Sequence, residues 1–234
     1  MPVAVRSLPS AWSERVLDIN ALIQTIAIAA LPVIFAITLH EAAHGYAARH
    51  FGDPTAWQLG RITLNPIKHI DPVGTIMIPA AILLFSGGAF LFGYAKPVPV
   101  DFGRLRNPKR DMLWVAAAGP GANLFMALCW ALLLKLAWML PANEFTLPLS
   151  EMSKIGIMIN CVLMVLNLLP LPPLDGGRIA VSLLPHALAW KFARLERWGF
   201  PILLVLLFTG ILGDILNPLV GFLARLIESI FGLY

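Results

Sequence analysis

Two histidines and a glutamate form the grouping in this chain with the clearest chemical potential. His40-Glu41-Ala42-Ala43-His44 has the pattern H-E-x-x-H. Positions i and i+4 of a helix lie on one face, so both imidazoles can bind a single metal ion with the glutamate beside them as general base. The pattern is typical of a hydrolytic zinc site. The alternative interpretation is a packed histidine pair that forms hydrogen bonds between helices.

A catalytic zinc ion normally has three protein ligands, so the two histidines need a partner from elsewhere in the chain. Besides Glu41, the acidic residues in or beside apolar stretches are Asp111, Glu151, Asp175 and Asp214. We expect Asp175 to be the third ligand. It follows the prolines of Pro170-Leu-Pro-Pro, which prevent helix continuation, and precedes Gly176-Gly177, which allows close backbone approach. The alternative role of Asp175 is as the N-cap of the next helix.

The composition indicates that these residues lie in a membrane protein. Of 234 residues, 59% are hydrophobic and 13% are charged, against roughly 45–50% and about 25% in soluble domains. Several apolar stretches approach the ~20 residues that a bilayer span requires. The net charge is +4, but the basic residues occur in short clusters, which argues against a nucleic-acid partner. We therefore exclude an ordinary soluble domain.

The apolar runs predict an all-α polytopic membrane protein with about four full transmembrane helices. The predicted runs are a first span from Asn20 to Leu39 that continues as a helix to His50, Val73 to Phe92, Met112 to Leu140, Ile155 to Leu169, and a further span near Phe200 to Leu216 followed by an amphipathic tail. We also expect a short β element near the active site, at Trp57 to Leu64. The whole chain, 1–234, is predicted to be one domain, with its core at 20–189 and a C-terminal span and tail at 190–234.

Charge and parity predict the orientation of the spans. Twelve of the 17 Lys and Arg fall in three clusters, namely Arg49, Arg61 and Lys68; Lys96, Arg104, Arg106, Lys109 and Arg110; and Arg178, Lys191, Arg194 and Arg197. Such clusters are expected to be cytosolic. Because His44 and Asp175 must share one metal ion, the first and fourth runs end on the same side. The run at 73–92, with Pro79 and Gly87-Gly88, is then a re-entrant or broken segment, and the site lies in the cytosolic half of the bilayer.

Together with Asn167-Leu-Leu-Pro-Leu-Pro-Pro-Leu-Asp175-Gly-Gly, the H-E-x-x-H motif resembles the site-2 protease family of intramembrane zinc metalloproteases. The similarity extends from about Leu31 to Leu184. It also includes Gly52-Asp-Pro, Leu64-Asn-Pro, Lys96-Pro-Val-Pro-Val and Ala118-Gly-Pro-Gly-Ala-Asn123. The resemblance implies that His40, His44 and Asp175 bind one zinc ion and that Glu41 activates water. It further implies that Asn167 helps to hold the substrate backbone or the oxyanion.

The predicted reaction is hydrolysis of a peptide bond in or near a transmembrane segment of a membrane-protein substrate. A transmembrane helix of the substrate must unwind locally before attack, because its carbonyl groups are already hydrogen-bonded. The segment from Trp57 to Leu64 is either a docking edge for the unwound strand or an ordinary cytosolic hairpin. Asn167 has the alternative role of a polar contact between helices. Asn123 is either an outer-shell partner of the metal site or part of a close helix approach.

Two other functions fit parts of the pattern. A transporter or channel with a metal site also has unwound helices and intramembrane charges, although this sequence contains no internal repeat. A catalytically silent metal-binding membrane protein is the second alternative, and the intact Glu41 argues against it. The lipid bilayer and a membrane-protein substrate are the expected partners. The expected location is multi-pass in a prokaryotic inner membrane, with the active site towards the cytosol.

Overall fold

The computed structural model describes residues 19–85, 93 and 95–233. Within these residues the chain forms nine α-helices and no strand, so the predicted all-α class is confirmed. In chain order the helices are α1 (Ile19–His50), α2 (Thr55–Gln58), α3 (Ile78–Phe85), α4 (Pro108–Trp138), α5 (Thr146–Asn167), α6 (Asp175–Leu183), α7 (His186–Ala193), α8 (Glu196–Phe208) and α9 (Ile211–Phe231).

Three of the described helices are long and apolar enough to cross a bilayer: α1 from Ile23 onward, α4 and α5. Helices α8 and α9 form a fourth candidate when counted together, although they meet at an angle of 84°. The prediction of a membrane protein with about four spans is therefore confirmed. The single span expected near Phe200 to Leu216 is instead two helices, because Gly210 adopts a left-handed φ of +82° and ends α8.

The apolar run at 73–92 lies partly outside the described residues, and its Gly87-Gly88 pair falls there. The described part is a π-helical turn, Pro72–Met77, followed by α3. Asp71 caps this turn, because its Oδ1 accepts hydrogen bonds from the N–H groups of Val73 at 3.0 Å and Gly74 at 2.7 Å. The described apolar helix is shorter than a bilayer span. A re-entrant or broken path for the whole run stays a prediction.

The short β element expected at Trp57 to Leu64 is wrong, since no strand forms in the described part of that region. Asp53 instead starts a helical turn there, because its Oδ1 accepts from both the N–H and the hydroxyl of Thr55. Gly60, with a φ of +62°, then turns the chain away from an extended course. The edge proposed for docking a substrate strand is therefore absent from this segment.

A pair of hydrogen bonds and a proline explain two helix boundaries that differ from the predicted ones. Helix α5 begins at Thr146 rather than near Ile155, because Asn143 and Thr146 exchange hydrogen bonds. The Oδ1 of Asn143 accepts from the N–H of Thr146 at 3.0 Å, and the hydroxyl of Thr146 accepts from the N–H of Asn143 at 2.9 Å. The helix expected to run to about Ala189 is divided into α6 and α7, because Pro185 disfavours helical conformation just before it.

Helix α4 is the centre of the bundle and packs against α1, α5, α6 and α9. Its contact with α5 is close because Gly156 lies against the ring of Trp130. A Cβ at this glycine would lie 2.4 Å from the ring carbons Cγ and Cδ2. Helix α9 covers the same region through its buried Val220, Ala224 and Ile227. This packing fixes the distances between the helices that carry the functional residues.

Substitution of Gly156 by alanine is expected to destabilise the bundle. The added methyl group must displace the buried Trp130, and overpacking of this kind costs about 1–3 kcal/mol. Unfolding of the G156A protein by sodium dodecyl sulfate in micelles should therefore occur at a lower denaturant fraction. G213A is the matched control, because a Cβ at this helical glycine meets its nearest neighbour at an ordinary 3.7 Å. Equal stability of the two variants would contradict the proposed packing.

Candidate metal centre

Three side chains meet at one point between α1 and the start of α6. The Nε2 atoms of His40 and His44 lie 3.1 Å apart, and each lies 3.3 Å from Oδ2 of Asp175. The side chains of all three residues are largely buried, with exposed fractions of 9%, 11% and 13%. A tetrahedral zinc ion with bonds of about 2.0–2.1 Å keeps its ligand atoms about 3.3–3.4 Å apart. The triangle therefore has the dimensions of one face of a zinc coordination tetrahedron.

Hydrogen bonds on the far side of each ring determine which nitrogen carries the proton. Nδ1 of His40 lies 2.6 Å from Oδ1 of Asn123, and Nδ1 of His44 lies 2.7 Å from the carbonyl oxygen of Val115. Both oxygens are acceptors, so each neutral ring is protonated at Nδ1 and presents the lone pair of Nε2 to the other two side chains.

The protonation of both rings at Nδ1 allows a test of whether a metal ion fits. Two nitrogen lone pairs and a carboxylate oxygen converge in a buried space, where they repel one another unless a cation lies between them. Oδ2 of Asp175 is buried and accepts no hydrogen bond in the described structure. The imidazole and carboxylate donors are those that zinc prefers. The three residues thus fit a zinc ion in both chemistry and spacing.

Asp175 reaches this point because the chain unwinds between α5 and α6. Leu174 is the N-cap residue of α6, and Asp175 directs its carboxylate to the two histidines rather than capping the helix. Two glycines allow the helix to fold back onto the unwound segment. A Cβ at Gly176 would lie 2.2 Å from the carbonyl oxygen of Leu168, and one at Gly177 would lie 2.3 Å from the nitrogen of Pro172. The expected proline-induced unwinding and close glycine approach are both present.

Helix α8 holds the unwound segment from its other side. A Cβ at Gly199, in the first turn of α8, would lie 1.7 Å from the carbonyl oxygen of Pro172. Only glycine leaves room for this contact between the helix and the loop. Gly199 is not among the predicted site residues, because it lies more than twenty residues beyond Asp175 and outside both motifs.

Glu41 is half-buried, and a backbone amide holds one of its oxygens. Its Oε2 accepts a hydrogen bond from the N–H of Val98 at 2.7 Å. Val98 lies between Pro97 and Pro99, which have no N–H, so it supplies the amide donor of this short stretch. Gly45 lets the stretch lie against α1, since a Cβ there would be 3.2 Å from Val98. This contact is not among the predicted ones, although the alternating prolines are its signal in the sequence.

The two asparagines singled out in the sequence lie in different surroundings. Asn123, on α4, is fully buried and contacts His40, as described above. Asn167, the last residue of α5, donates a hydrogen bond from its amide to the carbonyl oxygen of Leu163 at 2.9 Å, within its own helix. The structure therefore brings Asn123 to the three convergent side chains and holds the amide of Asn167 on α5.

Helix α4 also contributes a surface against which the histidine rings pack. A Cβ at Gly119 would lie 2.4 Å from Nε2 of His44 and 2.6 Å from Cε1 of His40. Gly119 precedes Asn123 by four residues, so both lie on the helix face that meets α1. The motif predicts a close helix approach, but not that the approach is to the two histidine rings.

Comparison with known proteins supports a common ancestry with zinc metalloproteases. Residues 138–210 match the family model of peptidase family M50. YwhC of Bacillus subtilis, which carries the name of a zinc metalloprotease, is 41% identical over 194 residues that cover 82% of this chain and 84% of YwhC. Rip2 of Mycolicibacterium smegmatis, named likewise, is 33% identical over 177 residues that cover 75% of this chain and 64% of Rip2. No solved structure matches the chain.

Substitution of Gly119 by alanine is expected to abolish or weaken metal binding. The methyl group would occupy space taken by both imidazole rings, so the rings must move out of the geometry described above. We expect the zinc affinity of purified G119A to fall at least about tenfold, as happens when the surroundings of a metal ligand are disturbed. G121A is the control, because a Cβ there meets no atom within 4 Å. Wild-type zinc affinity in G119A would refute the described contact.

Proposed function

Because the chain belongs to peptidase family M50, the site-2 protease family of intramembrane zinc metalloproteases, we propose that it hydrolyses a peptide bond in or near a transmembrane segment of a membrane-protein substrate. The observation that carries this proposal is the buried triangle of His40, His44 and Asp175, with two imidazole lone pairs and a carboxylate oxygen within 3.3 Å. Glu41, next to His40 in the chain, completes the hydrolytic set.

We assign the metal-binding role to His40, His44 and Asp175. When bound, zinc supplies a Lewis acid that lowers the pKa of water and polarises a carbonyl group. The residues would contribute two neutral nitrogen ligands and one anionic oxygen, the number of protein ligands found in other catalytic zinc sites. Asn123 and the carbonyl of Val115 keep the two rings in the tautomer that this role requires.

We assign the role of general base to Glu41. Its carboxylate takes a proton from the attacking water and transfers it to the leaving amine nitrogen when the C–N bond breaks. The N–H of Val98 holds Oε2, so Oε1 is the oxygen that we assign to the water. A carboxylate held in this way keeps its orientation between successive proton transfers.

The proposed substrate is a transmembrane helix that has unwound near its scissile bond. Carbonyl groups of an intact helix are engaged in hydrogen bonds and are poor targets for attack. We propose that Asn167 binds the substrate backbone or the oxyanion, since it lies where α5 ends and the unwound segment begins. Its amide would then exchange the carbonyl of Leu163 for a substrate carbonyl.

We further propose that the site faces the cytosol from a prokaryotic inner membrane. The three Lys and Arg clusters support this orientation, because they lie at and beyond the C-terminal end of α1, before and in the first turn of α4, and after the unwound segment. We also propose that 1–234 is a single domain. The contact of Gly199 with Pro172 and the packing of α9 on α4 and α5 support a C-terminal region that is part of the same unit.

Two substitutions separate the proposed roles of metal ligand and base. E41Q is expected to retain zinc but to cleave a membrane-embedded model peptide about 10²–10⁴-fold more slowly, because it lacks a proton acceptor. H40A is expected to lose both zinc and cleavage. Zinc content by atomic absorption and cleavage in proteoliposomes measure the two effects. Wild-type cleavage by E41Q would refute the assigned base. If the wild-type protein binds zinc but none of the three proteins cleaves the peptide, the transporter or the catalytically silent alternative is favoured.

Cysteine labelling tests the proposed orientation. In a background with Cys129 and Cys161 replaced by alanine, E144C places a thiol before α5 and R194C places one after the unwound segment. A membrane-impermeant maleimide should label E144C in spheroplasts and R194C only after lysis, because the proposed orientation puts them on opposite sides. Labelling in the reverse order would overturn the cytosolic orientation.

A further inference from the structure

We propose that Asn160, a buried residue of α5, is a positioning residue that sets the tautomer of His40 through Asn123. The inference deepens the proposed function and rests on its assignment of His40 as a metal ligand. Asn160 belongs to neither sequence motif. It takes part in a chain of three side chains that links α5, α4 and α1, and both asparagines have no exposed surface.

The orientation of the Asn160 amide follows from its backbone partner. Its Nδ2 lies 2.8 Å from the carbonyl oxygen of Gly156, which can only accept a hydrogen bond. The amide NH2 group must therefore face Gly156, and Oδ1 faces the other way. That oxygen lies 2.9 Å from Nδ2 of Asn123. Asn160 thus presents an acceptor, and not a donor, to α4.

The amide of Asn123 is oriented in turn by two acceptors. One proton of its NH2 group is donated to Asn160, and the other is donated to the carbonyl oxygen of Ala36 at 3.2 Å. Its oxygen is left to face Nδ1 of His40 at 2.6 Å. His40 must then carry its proton on Nδ1, and the Nε2 lone pair points at His44 and Asp175.

Without the acceptor of Asn160, only the longer bond to Ala36 would hold the NH2 group of Asn123. One buried N–H would also lose its partner, which is costly in an apolar interior. A rotated amide would present its NH2 group to His40 and favour the tautomer with the proton on Nε2. That tautomer has no lone pair for a metal ion at the position that faces Asp175.

His44 provides an internal comparison, because a backbone carbonyl fixes its tautomer directly. The oxygen of Val115 accepts from Nδ1 of His44 and cannot rotate to offer a donor. His40 depends instead on two side-chain amides, either of which can rotate. Among the two imidazole ligands, His40 is therefore the one whose tautomer a substitution on α5 can alter.

Two substitutions at Asn160 and one control test the inference. N160L removes the acceptor and keeps the volume of the side chain. N160D keeps an acceptor for Asn123, and when neutral its hydroxyl can also donate to Gly156. S153A is the matched control, because Ser153 lies two turns earlier on the same face of α5, is fully buried, and has no hydrogen-bond partner for its hydroxyl in the described structure.

The first measurement is the ¹⁵N chemical shift of the His40 ring nitrogens in the metal-free protein, at a pH where the ring is neutral. The second is zinc affinity. We expect the wild type, S153A and N160D to have His40 protonated at Nδ1. N160L should contain a substantial fraction of the Nε2 tautomer and bind zinc about tenfold more weakly, the lower end of the effect of outer-shell partners. The His44 shifts should not change.

Wild-type shifts and zinc affinity in N160L would overturn the inference. Equal losses in N160L and N160D would also overturn it, because they would indicate a packing role. If N160L does not fold, wild-type shifts and affinity in N160D support the inference and altered ones oppose it. The proposed function is tested separately. If the wild-type protein binds no zinc, the site assignment is contradicted. If the wild-type protein binds zinc and cleaves its substrate, and N160L behaves as the wild type does, only the role of Asn160 is contradicted.

Discussion

The convergence of two imidazole nitrogens and one carboxylate oxygen in a buried space is the constraint on which this fold depends. At 3.1–3.3 Å, three electron-rich atoms without protons between them repel one another strongly in this largely buried site. The protein tolerates this arrangement because neighbouring helices hold these side chains and their backbone in place. Helix α4 supports both rings through Asn123, Val115 and Gly119, while α6 and α8 hold the loop that ends in Asp175. The packing of the bundle therefore holds three mutually repelling donor groups at distances that suit a cation.

Much of this arrangement could be predicted from local sequence. The helical repeat alone puts His40 and His44 on one face, and the prolines before Asp175 require an unwound segment whatever the tertiary structure. The apolar content predicts the membrane and the all-α class. Each of these conclusions follows from geometry within a few residues, so no knowledge of neighbouring elements is needed.

The parts that could not be predicted depend on which helices meet. In a membrane bundle, residues that face lipid and residues that face protein are both apolar, so hydrophobic periodicity does not identify the neighbours of a helix. The contact of Asn160 with Asn123, the amide of Val98 at Glu41 and the approach of Gly199 to Pro172 all link distant segments. The mistaken β element has a different cause, because the capping interaction of Asp53 with Thr55 outweighs the strand-like composition of the residues that follow.

The contact between Gly199 and Pro172 has a mechanical consequence. With no side chain between them, α8 lies in direct contact with the backbone that leads to Asp175. Helix α8 in turn meets α9 at an angle of 84° near Gly210, so the contact at Pro172 links this bent pair of helices to the segment that leads to Asp175. The position of Asp175 is thus tied to that of the C-terminal region 196–234, which contains none of the three convergent side chains.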